Sequence, residues 1–333
     1  MMKKIAVVLL NWNGLDLLKQ FLPLVEKYSA EAEIYIADNN SSDQSKQYVE
    51  THFKNVQWIQ LHENFGYAKG YNEALKGIKE EIICLLNTDV EVTENWLQPV
   101  LDLFSKDDSI GIIQPKILDY NNKSYFEYAG AAGGFIDKYG FPFCRGRIFD
   151  TLEKDENQYV SQEIFWASGA CFFIRKNVFK QLNGFDEQFF AHQEEIDLCW
   201  RAFNQNILVY YCNESSVYHI GGATLKKSNP HKTYLNFRNS LYMLYKNLPK
   251  QQRFSIIFKR LCLDGLAGIK FFFSLQPLHT FAIVKAHFAY YKNLSKLKNK
   301  QAKNPKTNYF YTENIVFSYF LKEKKRFKKL YKE

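Results

Sequence analysis

Ile82-Ile83-Cys84-Leu85-Leu86-Asn87-Thr88-Asp89 is five apolar residues in unbroken succession that stop on three polar ones. A run of that length without alternation reads as a strand buried on both faces, and such strands belong to parallel sheets covered by helices. Working outward, the first half of the chain repeats the same unit. Ile5–Leu10 is a strand, followed by a turn at Asn11-Trp12-Asn13-Gly14 and a helix over about Leu15–Tyr28. Ile34–Ala37 is a second strand, ending at Asp38-Asn39-Asn40-Ser41-Ser42-Asp43. A helix, a strand at Val56–Gln60 and a glycine-punctuated helix start at Asn64–Gly77 come next. Strands and helices alternating over short links predict an α/β fold, Rossmann-like, with a mainly parallel mixed sheet flanked by helices. Ligands gather at the carboxyl ends of strands in such sheets, and Asn11–Asn13, Asp38–Asp43 and Asn87–Asp89 all fall there.

From about Gly111 to Phe165 the pattern loosens around five glycines, which predicts loops or hairpins. Order returns with a strand at Ala167–Arg175, a helix from about Asn177, and a helix from near Gln193 to about Asn204. Strands follow at Ile207–Tyr211 and Ser216–His219. Beyond Pro230 the texture changes to long amphipathic helical segments, Lys232–Lys246, Gln252–Phe273 and Pro277–Leu297. The chain divides near 225–250, giving an α/β domain at 1–230 and a helical, basic C-terminal appendage at 231–333.

An apolar share of 46% against 24% charged residues excludes a largely disordered chain. The formal charge of +9 is concentrated from about Lys285 to Lys332. Basic charge beside aromatics suits anionic lipid or nucleic acid, or is a solvated lysine-rich tail. No helix-turn-helix, RRM or zinc module is present, so a nucleic-acid partner is not expected. The cysteines include no CxxC pair, and Cys84, Cys171, Cys199 and Cys262 sit in apolar runs, as small core residues of a reducing compartment do. The apolar run after Met-Met-Lys-Lys ends too early for a signal peptide, and no stretch of about 18 uncharged apolar residues predicts a spanning helix. Gln252–Phe273 mixes Phe254, Ile256, Ile257 and Phe258 with Lys259, Arg260 and Lys270, which suits either a membrane interface or a helical subdomain on the core.

Four groups of residues have chemistry beyond packing. Asp89, closing a buried strand, is a candidate metal ligand, and strand alternation would put Asn87 on its side; the bland reading is a strand-end turn. Asp38 is placed to accept from a nucleoside, or else forms an Asx-turn. Asn64-Phe65-Gly66-Tyr67-Ala68-Lys69-Gly70 opens a helix whose N-terminus and Lys69 favour a phosphate, or whose glycines simply pack. Glu194, Glu195 and Asp197 crowd the first turn of a helix, as caps or as a proton acceptor whose pKa the neighbouring acids raise. His219, after an apolar strand and before Gly221-Gly222, is a candidate metal ligand or a structural histidine.

Taken in order, these segments resemble the family 2 glycosyltransferases of GT-A fold, in the rhamnosyltransferase-like and galactofuranosyltransferase-like branch, over roughly residues 3–225. The segments are Val7–Gly14, Asp38–Asp43, Glu63–Asn72, Leu86–Asp89, Ala167–Ala170, Gly184–Phe190, Glu194–Arg201 and His219–Gly222. The resemblance implies an inverting transfer from a nucleotide-diphosphate sugar, with dTDP-rhamnose the leading donor, and a Mg²⁺ or Mn²⁺ cofactor. It makes Asn11, Asn13 and Asp38 nucleoside-side residues, and Asn64, Gly66 and Lys69 part of the nucleotide-sugar pocket. Asp89 is similar to the last residue of the family's DxD metal motif, with Asn87 where the first Asp often stands and His219 completing the metal shell. Glu195 takes the position of the general base, where the family often has Asp, leaving Glu194 and Asp197 as lesser candidates. Trp166, Ser168 and Gly169 would line the acceptor side. The implied acceptor is a glycan or polyprenyl-linked glycan in cell-surface polysaccharide synthesis. The implied place is peripheral, on the inner face of a bacterial plasma membrane, with the oligomeric state left open. A nucleotidyltransferase or a non-catalytic nucleotide-sugar-binding protein on a similar fold are the alternatives; the first would carry Arg or Lys where Asn11-Trp12-Asn13-Gly14 stands.

Overall fold

The computed structural model describes residues 4–221 and 229–330. The α/β half runs β1 (Ile5–Asn11), α1 (Leu15–Tyr28), β2 (Ala32–Asp38), α2 (Ser45–His52), β3 (Gln57–Gln60), α3 (Gly66–Ala74), β4 (Ile82–Asn87), β5 (Val90–Val92) and α4 (Gln98–Lys106). A long strand, β6 (Ile110–Asp119), precedes the short strands β7 (Gly134–Ile136), β8 (Pro142–Cys144), β9 (Arg147–Ile148), β10 (Thr151–Leu152) and β11 (Gln162–Ile164). Then come β12 (Cys171–Arg175), α5 (Lys176–Gln181), α6 (Glu194–Asn204) and β13 (Leu208–His219). The helical part is α7 (Pro230–Asn247), α8 (Lys250–Phe273), α9 (Pro277–Lys292), α10 (Leu294–Lys298) and α11 (Ile315–Phe320).

Among the described residues the main sheet has nine strands in the order β11-β13-β6-β12-β4-β1-β2-β3, with β5 paired to β13. β3, β2, β1 and β4 are parallel to one another, and β6 is parallel to β13, while β12 runs antiparallel between β4 and β6. The expected mainly parallel, mixed sheet flanked by helices is what forms. β1 and β4 are buried along nearly their whole length, because helices cover both faces, and their unbroken apolar runs need no polar partners there.

Three local readings differ from the structure. The segment after Gly111 is not all loop: β6 begins at Ile110, and the glycine-rich hairpins start later, as the four-stranded sheet β10-β9-β8-β7. Gly111, Gln114, Pro115 and Lys116 interrupt its apolar pattern, yet Gln114 and Lys116 are buried with partners, Gln114 Oε1 accepting from the Ser168 amide at 2.8 Å and Lys116 pairing with Asp155 at 2.8 Å. Ile207–Tyr211 and Ser216–His219 are halves of one strand, β13, separated by an irregularity between Cys212 and Ser216 where its register against β6 shifts. Cys262 is exposed on α8, whereas the other five cysteines are buried and all six are free thiols.

α7 begins at Pro230 and is tied to the α/β half by buried charge. Asp197 on α6 accepts from Arg201 Nε (2.9 Å), Lys246 Nζ (2.8 Å) and Asn247 Nδ2 (2.9 Å). Lys246 also pairs with Asp186 at 2.7 Å, and Lys300 closes on Asp186 at 2.6 Å. Burial opposes ionisation of Asp186, but the two ammoniums outweigh it and hold the carboxyl at about 2. Lys246→Met removes a cation shared by two buried acids. It is expected to cost about 3–5 kcal/mol in urea unfolding near neutral pH, the range for breaking one side of a buried pair. The Asp186 share of that difference is present above the ordinary carboxylate range and fades as pH falls toward about 2.

Candidate active site

The carboxyl ends of β1, β2 and β4 lie side by side, with Asn11 opposite Asp38 and Leu10 opposite Asn87. Asn11 and Asp38 are fully buried, and Asn11 Nδ2 donates to Asp38 Oδ1 at 2.9 Å. Asp38 also accepts from the Ser41 amide (2.8 Å), the Ser41 hydroxyl and Gln60 Nε2 (3.1 Å), so the Asx-turn geometry forms around it. Asn13, exposed and at φ 49°, accepts from the Ser42 amide at 2.8 Å, beside a groove of about 480 Å³ lined by Asn13, Gly14, Asp16 and Asp43. The loops after β1 and β2 thus hold each other in shape through their own polar side chains.

Gly66 opens α3 at φ 69°, and a Cβ there would stand 2.7 Å from the Phe190 ring and 2.8 Å from the Phe190 carbonyl oxygen. That carbonyl accepts from the amides of Tyr67 (2.9 Å) and Ala68 (3.2 Å), and Asn64 Oδ1 takes the Gly66 amide at 2.9 Å. The helix start expected to face a phosphate therefore spends its first amides on protein acceptors. Lys69 lies 3.9 Å from the centre of the Phe65 ring, with its ammonium 3.7 Å from Glu63.

Asn87 ends β4, and Thr88 and Asp89 form the turn into β5 rather than continuing an extended strand, so strand alternation does not set the two side chains. Asp89 instead meets His219. β13 runs antiparallel to β5 with His219 opposite Val90, and the Ile220 amide donates to the Asp89 carbonyl at 3.1 Å. Asp89 Oδ1 stands 3.2 Å from His219 Nε2, and both side chains are buried. On the other side of the ring His219 Nδ1 is 3.5 Å from Glu127 Oε2. Burial disfavours an imidazolium, but Glu127 and Asp89 outweigh it and raise the His219 pKa to about 10. Glu127 lies in the loop after β6, where no periodicity marks it.

The acids of α6 follow a strained loop. Phe190 (φ 64°), His192 (φ 70°) and Gln193 (φ 72°) all adopt left-handed backbone, which non-glycine residues enter only where the surroundings impose it. α7 imposes it here. Asn239 Nδ2, on a fully buried side chain, lies 3.0, 2.9 and 2.7 Å from the carbonyl oxygens of Phe189, Ala191 and His192, and Arg238 donates to those of Gln188 (3.0 Å) and Phe189 (2.9 Å). The loop delivers three acids with different surroundings. Asp197 is consumed by Arg201, Lys246 and Asn247, and this network is structural. Glu194 is buried; burial first, then the neighbouring Glu195 and Asp197, push its carboxyl well above the usual range. Glu195 is part-exposed, and burial lifts it to about 7 against the backbone amides of Glu195, Gln193 and Ile196. A carboxyl near neutrality whose Oε2 is buried and has no hydrogen-bond partner among the described residues can hold a proton there.

Short polar contacts surround the Ser168–Gly169 segment. The Tyr67 hydroxyl donates to the Gly169 carbonyl at 2.7 Å, and burial first, with smaller contributions from Tyr71, Glu194 and Glu195, holds that hydroxyl well above its ordinary pKa. The Asn87 backbone amide donates to Ala170 O at 2.9 Å, the Ser168 hydroxyl to Ala129 O, and the Ala129 amide to Glu127. Ser168 is thereby tied through Ala129 to Glu127, the residue beside His219. Trp166, by contrast, is buried over Gly134 with its indole donating to Phe135 O at 2.9 Å, so its ring is core. Tyr67, Glu127, Arg238 and Asn239 were not singled out by sequence. The first shares its segment with Gly66, and the last two read as the polar face of an amphipathic helix.

Residues 6–182 match the family model described as Glycosyl transferase family 2, more than half of the chain. The chain is 24% identical over 245 residues to the low-salt glycan biosynthesis hexosyltransferase Agl10 of Haloferax volcanii, covering 72% of this chain and 75% of that one. It is 25% identical over 201 residues to the N-acetylglucosaminyl-diphospho-decaprenol L-rhamnosyltransferase of Mycobacterium tuberculosis, covering 56% of this chain and 66% of the relative. Among solved structures, S. aureus TarS 1-349 in complex with UDP-GlcNAc superposes with a TM-score of 0.53 at 15% identity over 90% of this chain and 93% of that one. The mannosyltransferase PcManGT from Pyrobaculum calidifontis, in complex with GDP-Man and Mn²⁺, gives 0.52 at 11% identity over 88% and 75%. With a GT-A-like sheet, a polar rim at its carboxyl edge and a family match over that sheet, this chain is a glycosyltransferase belonging to glycosyl transferase family 2.

Proposed function

We propose that the chain is an inverting glycosyltransferase. It moves a sugar from a nucleotide-diphosphate donor to a glycan or polyprenyl-linked glycan acceptor, peripherally at the inner face of a bacterial plasma membrane, in cell-surface polysaccharide synthesis. The observation that carries the reading is the buried pairing of Asp89 with His219 at the carboxyl edge of the family-matched sheet, together with a near-neutral carboxyl, Glu195, in the first turn of α6. dTDP-rhamnose is the leading donor, supported by the L-rhamnosyltransferase activity named for the mycobacterial relative and the rhamnosyltransferase activity named for E. coli WbbL.

A divalent cation suits the chemistry of the donor set once His219 gives up the proton that its acidic neighbours hold on it. Among the described residues no three His, Cys, Asp or Glu side chains gather to hold a metal alone. Asp89 Oδ1, an oxygen donor, stands 3.2 Å from His219 Nε2, a nitrogen donor when deprotonated. Glu127 stands 3.5 Å from Nδ1, where an outer carboxylate beside a ligating histidine would be. When bound, Mg²⁺ or Mn²⁺ neutralises the departing diphosphate. Asp89 and His219 would hold the ion, the loops after β1 and β2 with Asn64, Gly66 and Lys69 would shape the nucleotide side, and Ser168 and Gly169 the acceptor side. Glu195 takes the proton of the acceptor hydroxyl as it attacks the anomeric carbon. Glu194, more deeply buried, is itself held well above the usual carboxylate range by burial and by Glu195, and Asp197 anchors α6.

The thermal-shift response to dTDP-rhamnose, UDP-galactofuranose and other UDP- and dTDP-hexoses, each with Mg²⁺ or Mn²⁺, identifies the donor, since a ligand of the folded state raises Tm. With that donor, Glu195→Gln is expected to lower kcat by about 10²–10⁴-fold while donor affinity stays within a few-fold. A folded variant that turns over like wild type would remove Glu195 from the mechanism. In wild type, a base must be ionised to act, so kcat/KM should climb with pH and level off above about 7. A profile flat from pH 5 to 8 on the order of experimental error contradicts that assignment. Asp89→Ala is expected to abolish the dependence of turnover on added Mg²⁺ or Mn²⁺ together with most of the turnover; a variant still stimulated by metal as wild type is would place the ion elsewhere.

A further inference from the structure

Beyond the site, α8 and α9 form a hairpin with a face that none of the described residues covers. The inner side of α8 is buried through Ile256, Ile257, Arg260 and Asp264, and that of α9 through Ala282, Ile283, Ala286 and Tyr290. The opposite sides are apolar too. On α8 the exposed residues Phe254, Phe258, Leu266, Ile269 and Phe273 recur every three, four or eight positions, and on α9 Leu278, Phe281, Val284, Phe288 and Tyr291 do the same every three or four. Each set therefore makes one stripe along its helix. At the bend Leu275 is 90% exposed at φ 58°, an apolar side chain in a backbone conformation that glycine or asparagine would adopt without strain. A slot of about 250 Å³ lined by Gly265, Gly268, Phe272, Ile283 and Val284 separates the two helices near this end. Singly exposed apolar residues are ordinary on protein surfaces, but a continuous double stripe marks an interaction surface.

The charge around the face selects the occupant. From Lys250 to Lys300 the sequence has one acid, Asp264, and it is buried against Arg260 at 2.7 Å. Lys259, Lys270, Lys285 and Lys292 are all exposed on the same two helices. Apolar stripes bordered by lysines with no exposed acid match a leaflet of hydrocarbon beneath anionic headgroups. Neither helix is long and apolar enough to cross a membrane. The hairpin is also coupled to the site. Thr233 on α7 bonds His279 on α9 at 2.8 Å, and Tyr234 lies between Lys285 of α9 (5.1 Å to its ring centre) and Arg238 (5.2 Å), the residue that grips the Gln188 and Phe189 carbonyls.

We infer that the α8–α9 hairpin is a monotopic wedge that seats in one leaflet of an anionic bilayer, with Phe273, Leu275, Leu278 and Phe281 entering the acyl region and the lysines resting on the headgroups. The inference deepens the peripheral-membrane part of the proposed function and names the element responsible. Donor turnover is measured separately, so the two can fail independently. The full chain is sedimented with phosphatidylcholine vesicles, with and without phosphatidylglycerol, at low and high salt. Wild type is expected to pellet with the anionic vesicles and to be partly released by salt. The double substitution Phe273→Glu/Phe281→Glu, on exposed side chains of which Phe273 meets the exposed Phe272 ring edge-on, is expected to lower vesicle binding by about tenfold or more with hydrolysis of free donor unchanged. Lys259→Gln/Lys270→Gln/Lys285→Gln is expected to erase the preference for phosphatidylglycerol. Wild type left in the supernatant with anionic vesicles, or a folded Phe273→Glu/Phe281→Glu chain that pellets as wild type does, overturns the inference. A vesicle-indifferent dimer that the same double substitution dissolves would also overturn it, giving the face to a second copy of the chain.

Discussion

The site depends first on two segments 130 residues apart in sequence meeting at the edge of one sheet. Asp89 sits in the tight turn between β4 and β5, and His219 ends β13; only the antiparallel pairing of β13 with β5, alongside its parallel pairing with β6, brings them to 3.2 Å. That position is costly to ionic side chains, because Asp89, His219 and Glu127 are all buried, and an unpaired charge there would be expelled or neutralised. The charges offset one another: Glu127 faces one ring nitrogen at 3.5 Å and Asp89 the other at 3.2 Å. β13 reaches this point by carrying an irregular segment between Cys212 and Ser216, within which the buried Ser215 hydroxyl bonds the Trp96 carbonyl at 2.6 Å. Without that register shift Ser216, rather than His219, would stand opposite Asp119 of β6.

The other half of the site is held by a different device. Glu195 begins a helix whose entry loop carries three residues in left-handed backbone, an arrangement worth of order 1–3 kcal/mol of strain per residue if left to itself. Asn239 and Arg238 hold the loop by its carbonyl oxygens, and Lys246 and Asn247 hold the first turn of the helix through Asp197. The first helix after residue 230 is therefore part of what shapes the acid face, and the same helix passes the contact on to α9 through Thr233 and His279.

Much of the frame was legible because buried strands and amphipathic helices leave strong periodic traces: Ile82–Asn87 and Leu15–Tyr28 form nearly where their apolar patterns place them. What escaped did so for physical reasons. β6 hides its strand character behind Gln114 and Lys116, whose burial is made tolerable by partners far along the chain that no local window contains. β13 reads as two strands because its irregular middle is locally polar. Asp89 and Asn87 invite a reading as neighbours on one strand face, but the strand stops at Asn87 and the turn redirects Asp89 toward a histidine. Glu127 lies in a loop with no pattern, and Asn239 looks like solvent-facing polarity on a helix until its three carbonyl contacts are seen.

The central claim is that Asp89 with His219 and Glu195 address one bound donor from two sides. Its most direct test is anomalous diffraction at the manganese edge from crystals soaked with Mn²⁺ and the nucleoside diphosphate of the donor that binds. The account predicts one strong peak about 2–2.3 Å from both Asp89 Oδ1 and His219 Nε2, with the terminal phosphate on the side that Glu195 faces. A peak away from both residues, or a diphosphate separated from Glu195 by protein, would contradict it.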